Sequence, residues 1–300
     1  MAAANVAVAS TRRAALNVHR TIPLIRAARN SLPPNASVGY VPTMGALHDG
    51  HLSLVKEARA KNDVVFASIF VNPTQFRPGE DLDKYPRQFE QDSNLLADLG
   101  VDHLFAPDND IMYGPNHVTF VDPTSFDNTS EGLSRPGHFR GVATVVTKLF
   151  NIVKPTNAYF GQKDAAQCVL IRRIVEDLNM DVSVNVENTV REDDGLAMSS
   201  RNAYLSHKER KAAPIVYKSL CAANDLFLAE ALAGMLPISA GALSAAVQNI
   251  LTTEPLVSEI HYISVDDPDT MEPLSVVTKG AVISLACQVG SVRLIDNIVI

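Results

Sequence analysis

Val41-Pro-Thr-Met44-Gly-Ala-Leu-His48-Asp-Gly50-His51-Leu-Ser-Leu-Val55 decides how the chain is read. The residues before it, Ser37 to Val41, predict a short buried strand, and those from Leu52 through Ala60 an amphipathic helix. The loop between them therefore delivers His48, Gly50 and His51 to a helix N-terminus. Backbone N–H groups are unpaired there and the dipole is positive, so an anion is welcome. His48 and His51 share one face of the first turn, and Gly50 leaves room for a close backbone approach. Imidazoles in that position suit phosphate oxygens and the charge developing at a reacting phosphorus. The competing readings are a surface pair or a zinc site, and zinc lacks a third ligand at a recognisable spacing.

With 300 residues, 46% of them hydrophobic and 20% charged, the chain has room for one large or two ordinary domains with a real core. A net charge of −7 leaves no polybasic footprint, which argues against a nucleic-acid partner. Cys168, Cys221 and Cys287 are odd in number, widely spaced and set among apolar residues, a pattern of core packing in a reducing compartment. No apolar run reaches the length of a membrane span, so no membrane partner is expected and a cytoplasmic protein is. The N-terminus complicates the location. Before His48 there is no Asp or Glu, while Arg12, Arg13, Arg20, Arg26 and Arg29 recur among alanines and serines. This is the composition of an organelle presequence, so mitochondrial import stays open. The alternative is a short disordered start followed by a genuine helix from Ile22 to Leu32.

Further along, Val64 to Val71 is a continuous apolar, β-branched run, the mark of a strand buried on both faces of a parallel sheet. It ends in Asn72-Pro-Thr-Gln75, and amides at the carboxyl end of a central strand sit where open α/β sheets bind ligands. Asn72 has an Asn-Pro turn as its bland reading; Gln75 has none. The polar loop from Pro78 to Pro86 reads as solvated. Asp92, on a helix over Phe89 to Leu99, is either an acid on a solvated face or an organiser of Mg²⁺. A short strand follows near Leu104, and Val118 to Val121 is a further strand candidate. Glu131 to Gly141 reads as a cationic, glycine-rich loop feeding a helix from Val142 to Lys154. Its Arg135, His138 and Arg140 are candidate contacts for an anionic substrate, and Arg135 and Arg140 read equally as surface charges. Gly161-Gln-Lys163-Asp164, between a strand at Ala158 to Phe160 and a helix through Leu178, repeats the opening arrangement. Lys163 is a mobile point charge for phosphate, Asp164 an N-cap or a ribose acceptor, and Gln167 a second amide facing the same crevice. After a strand at Val182 to Val186 comes Met198-Ser199-Ser200-Arg201, whose hydroxyls and guanidinium can wrap a polyphosphate. Helices at Lys208 to Ala233 and Ile238 to Thr252, then strands at Glu259 to Val265, Ala281 to Ala286 and from Val292, complete the chain.

The order of these elements, β-α alternation first and then helices followed by strands, predicts two domains meeting near residue 190, the first an α/β domain with a parallel sheet.

Pro42-Thr-Met-Gly-Ala-Leu-His-Asp-Gly-His51, Phe70-Val-Asn-Pro-Thr-Gln-Phe76, Arg135-Pro-Gly-His-Phe-Arg-Gly141, Gly161-Gln-Lys-Asp164 and Met198-Ser-Ser-Arg-Asn202 together resemble the pantothenate synthetase (pantoate–β-alanine ligase) family. The resemblance runs from about Ile22 to Asn297. Single motifs occur in other nucleotidyltransferases, but five in this order are specific. The resemblance implies an α/β fold, a Rossmann-like doubly wound parallel sheet with a smaller α+β C-terminal lid, the catalytic domain over residues 1–189 and the lid over 190–300 with the Met-Ser-Ser-Arg loop at its start. It further implies condensation of pantoate with β-alanine using ATP and Mg²⁺, by way of an enzyme-bound pantoyl adenylate, in a homodimer. It implies that His48, His51, Lys163, Ser199, Ser200 and Arg201 contact the polyphosphate. Gln75 and Gln167 would hold pantoate, with Met44 and Asn72 lining its pocket. ATP would further meet Met44, Gly50, Gly161, Asp164 and Met198. One departure is Ala165-Ala166, where many relatives carry an aromatic residue and a Gln; Gln167 keeps the polar anchor. The rival readings are another nucleotidyltransferase with a different acceptor and a nucleotide-sensing protein without turnover.

Overall fold

A computed structural model describes residues 15–300. The arginine-rich stretch that includes Arg12 and Arg13, on which the presequence reading leans, lies outside the described residues. The elements in chain order are β1 (Asn17–His19), α1 (Ile22–Asn30), β2 (Val38–Thr43), α2 (Asp49–Lys61), β3 (Val64–Ile69), α3 (Phe89–Asp98), β4 (His103–Phe105), α4 (Asn109–Met112), α5 (Ser130–Ser134), α6 (His138–Val153), β5 (Asn157–Gly161), α7 (Ala165–Asp177) and β6 (Ser183–Glu187). Then follow α8 (His207–Ala212), α9 (Ile215–Leu232), β7 (Ile238–Ser239), α10 (Ala240–Leu251), β8 (Val257–Asp266), β9 (Val276–Val277), β10 (Val282–Val289) and β11 (Val292–Val299).

The first six strands form one parallel sheet in the order β1-β4-β3-β2-β5-β6. Its apolar runs are buried on both faces, which is why they do not alternate with polar residues. Strand pleating sends Tyr40, Phe66, Phe105 and Phe160 into a core shared with α1, α6 and α7. Val41, Val65, Ala67, Leu104 and Tyr159 point to the other core, against α2 and α3. The chain winds outward from β2 in one direction and from β5 in the other. The crevice beyond the carboxyl ends of β2 and β5 is thus the topological switch point, where open sheets of this type hold ligands. The doubly wound fold expected from the sequence is the fold observed.

The C-terminal part builds its own core beneath a three-stranded antiparallel sheet, order β11-β10-β8, covered by α9 and α10. Its charged anchor is Arg191, which donates to both oxygens of Asp296, at 2.6 and 3.0 Å, and stacks 3.6 Å above the Tyr217 ring. All three cysteines are free. Among the described residues no helix is long and apolar enough to cross a membrane.

Several expected elements are corrected. Val118 to Val121 is not a strand: Val118 is exposed, and the Val121 N–H bonds to Thr144 Oγ1 instead of a neighbouring strand. The segment from Glu131 to Gly141 is mostly helical, because α5 occupies Ser130–Ser134 and α6 starts at His138 behind a left-handed Gly137. The expected helix from Lys208 to Ala233 is split at Pro214, which cannot donate to the preceding turn. Ile238 and Ser239 pair with β9 before α10 begins. The edge strand β1, three residues long, replaces part of the expected disordered start.

Arg191→Ala would strand the Asp296 carboxylate, whose side chain is 1% exposed. Unfolding in urea should then show a loss of about 3–5 kcal/mol; a loss below about 1 kcal/mol would mean the pair anchors nothing.

Candidate active site

Beyond β2 the chain turns through Gly45 and Ala46, both at positive φ (85° and 53°). A non-glycine residue in the left-handed region needs outside support, and Asp92 supplies it. From α3 its carboxylate accepts from Ala46 N–H at 2.8 Å and Leu47 N–H at 2.9 Å, while only 1% of the residue is exposed. This corrects both readings of Asp92. The acid is neither solvated nor free for magnesium, since both its oxygens are committed to the loop.

The loop delivers His48 to the N-cap of α2, and the two histidines close a capping box. Gly50 N–H donates to His48 Nδ1 at 3.2 Å, and His48 N–H donates to His51 Nδ1 at 3.4 Å. Backbone N–H groups only donate, so both Nδ1 atoms are acceptors and the ring protons of the neutral imidazoles sit on Nε2. A Cβ at residue 50 would lie 2.9 Å from the His48 ring, so glycine is what lets the ring fold back. Burial, followed by the nearby Lys163 charge, lowers the His48 pKa to about 4. Burial, then His48 and Lys163, lowers that of His51 to about 3. The pair therefore presents two neutral N–H donors at neutral pH.

His48, His51, Gly50, Met44, Asn72, Gln75, Arg135, His138, Gly161, Lys163, Asp164, Gln167, Met198, Ser199, Ser200 and Arg201 all line one cleft at the switch point, with a volume of about 1380 Å³ open to solvent. Every candidate except Asp92 and Arg140 is therefore brought together. Their states differ. Lys163 follows β5 and has no carboxylate within ion-pair distance among the described residues, and the Gln167 amide has no hydrogen bond among them. Asp164 heads α7 without a side-chain cap bond, which corrects the capping reading. Ser200 Oγ donates to Ala46 C=O at 3.0 Å, joining this turn to the first loop. Arg201 is held by both Asp81 oxygens, each at 2.9 Å.

Arg135 is not a surface charge. It donates to Glu80 at 2.8 Å. Burial alone would raise the Glu80 pKa, but Arg135 and then Arg77 outweigh it and hold the value at about 2. Arg135 also donates to His138 Nε2 at 3.2 Å, so His138 donates through Nδ1 to Gln75 C=O at 2.9 Å. These two residues brace the turn that carries Gln75. Arg140, by contrast, is exposed and lies over Phe120.

Three contributions were not anticipated. Asp81 sits in a loop read as solvated, Tyr85 borders the cleft beside Ser200, and Asn188, Thr189 and Val190 line it where β6 ends. For Asp81 and Tyr85 the partner lies more than a hundred residues away, so local pattern carries no signal. Position just beyond a sheet strand was an available signal for Asn188 to Val190.

A family model described as Pantoate-beta-alanine ligase matches residues 17–299. A protein of Thermodesulfovibrio yellowstonii named pantothenate synthetase is 50% identical over 264 residues, 88% of this chain and 92% of that protein. The crystal structure of pantothenate synthetase from Thermus thermophilus superposes with a TM-score of 0.85 at 44% identity, covering 94% of this chain and 98% of that one. A pantoate-beta-alanine ligase from Francisella tularensis, complexed with "Beta-gamma ATP" and β-alanine, has a TM-score of 0.76 at 36% identity, covering 95% and 97%.

Asp92→Ala would leave two buried N–H groups unpaired. It should lower stability by about 2–5 kcal/mol in urea unfolding; a change within about 0.5 kcal/mol would show that the loop does not need its carboxylate.

Proposed function

The chain belongs to the pantoate–β-alanine ligase family and joins pantoate to β-alanine at the expense of ATP; from that premise we propose that the reaction passes through a pantoyl adenylate held in the switch-point cleft. A carboxylate is a poor electrophile, and adenylation gives it a leaving group. A pantoate oxygen attacks the α-phosphorus, the bond to the β-phosphate oxygen breaks, and pyrophosphate leaves. The uncharged amine of β-alanine then attacks the acyl carbon, the C–N bond forms, the C–O bond to AMP breaks, and the amine proton goes to solvent.

No covalent nucleophile is needed, so positioning and charge neutralisation carry the catalysis. His48 and His51 offer Nε2–H donors to phosphate at the positive end of α2. Lys163 and Arg201 supply the cations, and Ser199 and Ser200 their hydroxyls. Gln75 and Gln167 hold pantoate, with Met44 beside them, while Gly161, Asp164 and Met198 meet the nucleotide. The supporting observation is the Lys163 ammonium, which shares the cleft with two neutral imidazoles and has no carboxylate within ion-pair distance among the described residues.

Magnesium belongs to the proposal only as a counter-ion carried on the nucleotide phosphates, since among the described residues no group of three His, Cys, Asp or Glu side chains is disposed to hold a metal. Residues 1–189 acting as catalytic domain, 190–300 as a lid that shields the adenylate from water, and a homodimeric assembly are parts of the same proposal. The relatives named above are bacterial, which lends mitochondrial import no support; we place the protein in the cytoplasm.

ATP–pyrophosphate exchange without β-alanine tests the adenylate. Exchange should appear only when pantoate is present, and exchange independent of pantoate would refute the intermediate. Lys163→Ala should slow pantoate-dependent exchange by about 10²–10³-fold with an unchanged melting temperature; near-normal exchange would remove Lys163 from the chemistry.

A further inference from the structure

Tyr113 belongs to none of the sequence motifs and lies outside the cleft, yet it touches the turn that carries Gln75. Its hydroxyl donates to Asn72 Oδ1 at 2.8 Å. The same oxygen accepts from Thr74 Oγ1 at 2.9 Å and from Thr74 N–H at 3.4 Å. On its other side, Asn72 Nδ2 donates to Gly141 C=O and to Gln75 Oε1, each at 3.1 Å. Two of these partners are backbone groups of fixed polarity: a carbonyl only accepts and an N–H only donates. The Asn72 amide therefore has a single orientation.

That orientation rests on an unusually close approach of α6. A Cβ at residue 141 would lie 2.3 Å from Thr74 C=O, so only glycine lets the helix reach the turn and offer its carbonyl to Asn72. Asn72 is 1% exposed and both its N–H bonds are taken, so it borders the cleft without a donor to spare. Gln75 must answer Asn72 with Oε1. Its Nε2 is left on the other side, 3.1 Å from the weak acceptor Met44 Sδ.

We propose that Tyr113 is a positioning residue for pantoate: acting through Asn72, it locks the Gln75 amide with its NH₂ toward the acid. The locked amide selects an acid that offers acceptor oxygens at that point, carboxylate or hydroxyl, and disfavours one that offers a donor. Without the tyrosine hydroxyl, Asn72 Oδ1 loses its shortest hydrogen bond, the Asn72 amide loosens, and Gln75 spends less time in the productive orientation. The proposal rests on Gln75 being a pantoate contact.

A double-mutant cycle tests it, with KM for pantoate and for ATP read from ATP–pyrophosphate exchange in Tyr113→Phe, Gln75→Ala and the double variant. Tyr113→Phe keeps the ring contact with Phe70 and changes only the hydroxyl. It should raise KM for pantoate about fivefold and leave KM for ATP within about twofold. In the Gln75→Ala background the same substitution should have no further effect, because its route to the substrate is gone. Additive effects would overturn the proposal, as would an equal rise in both KM values, which marks a general loss of structure. An unchanged KM for pantoate in Gln75→Ala alone would overturn it by removing Gln75 from the substrate, a failure told apart from the others by that single variant.

Discussion

The imidazole capping box at the start of α2 is the constraint on which the site depends. Helix N-termini are ordinarily capped by hydroxyl or carboxylate oxygens. Here two ring nitrogens do that work, which fixes both tautomers and turns both Nε2–H groups away from the helix backbone. The arrangement requires glycine at position 50, a left-handed Ala46, and Asp92 to hold the loop that bends there. One buried acid on α3 thus helps set the placement of the two histidines at the start of α2, through hydrogen bonds from the loop backbone.

Since the histidines are neutral, the positive charge of the cleft must come from elsewhere. Lys163 supplies it at the end of β5, and its backbone carbonyl is anchored by Asn297 Nδ2 at 2.9 Å from the C-terminal sheet. Arg201 arrives from the opposite direction with its guanidinium aligned by Asp81. A partly buried ionic chain ties the same regions together: Glu80 to Arg135, Arg135 to Glu131, and Glu131 to Arg293 on β11. Groups from both parts of the chain are therefore held around one crevice by side-chain contacts that also hold the fold together.

Much of this was legible in the sequence because it rests on local rules. Buried parallel strands appear as unbroken apolar runs, and the glycine turns after β2 and β5 mark where helices begin. His48 and Lys163 lie at those turns and Gln75 just beyond β3, so strand order gathers these three at the switch point, while Arg201 is brought there by the contacts of Ser200 with Ala46 and of Arg201 with Asp81. What escaped the sequence depends on contacts distant along the chain. Asp92 looks like a solvated helix acid until the 44–47 loop folds over it. Asp81 and Arg201 meet across 120 residues. Arg135, read as a substrate contact or a surface charge, is partly buried because Glu80 and Glu131 converge on it. The strand expected at Val118 failed for the same reason, since nothing in its own pattern reveals that the sheet is complete without it.

The proposed phosphate site depends on the state of the two imidazoles. Their pKa values, about 4 for His48 and about 3 for His51, lie below the ordinary 6.5. The unfolded chain therefore takes up protons first on acidification. The stability tied to neutral rings is complete above pH 6.5 and is lost as the pH falls toward those values. The most direct measurement is ¹⁵N NMR of the histidine side chains, assigned through the His48→Gln and His51→Gln variants and followed from about pH 8 to about pH 5.5. Both rings should appear as neutral Nε2–H tautomers with flat shifts across that range. A proton on Nδ1 of either ring, or a titration midpoint near the ordinary 6.5, would contradict the capping box and the phosphate-binding role built on it.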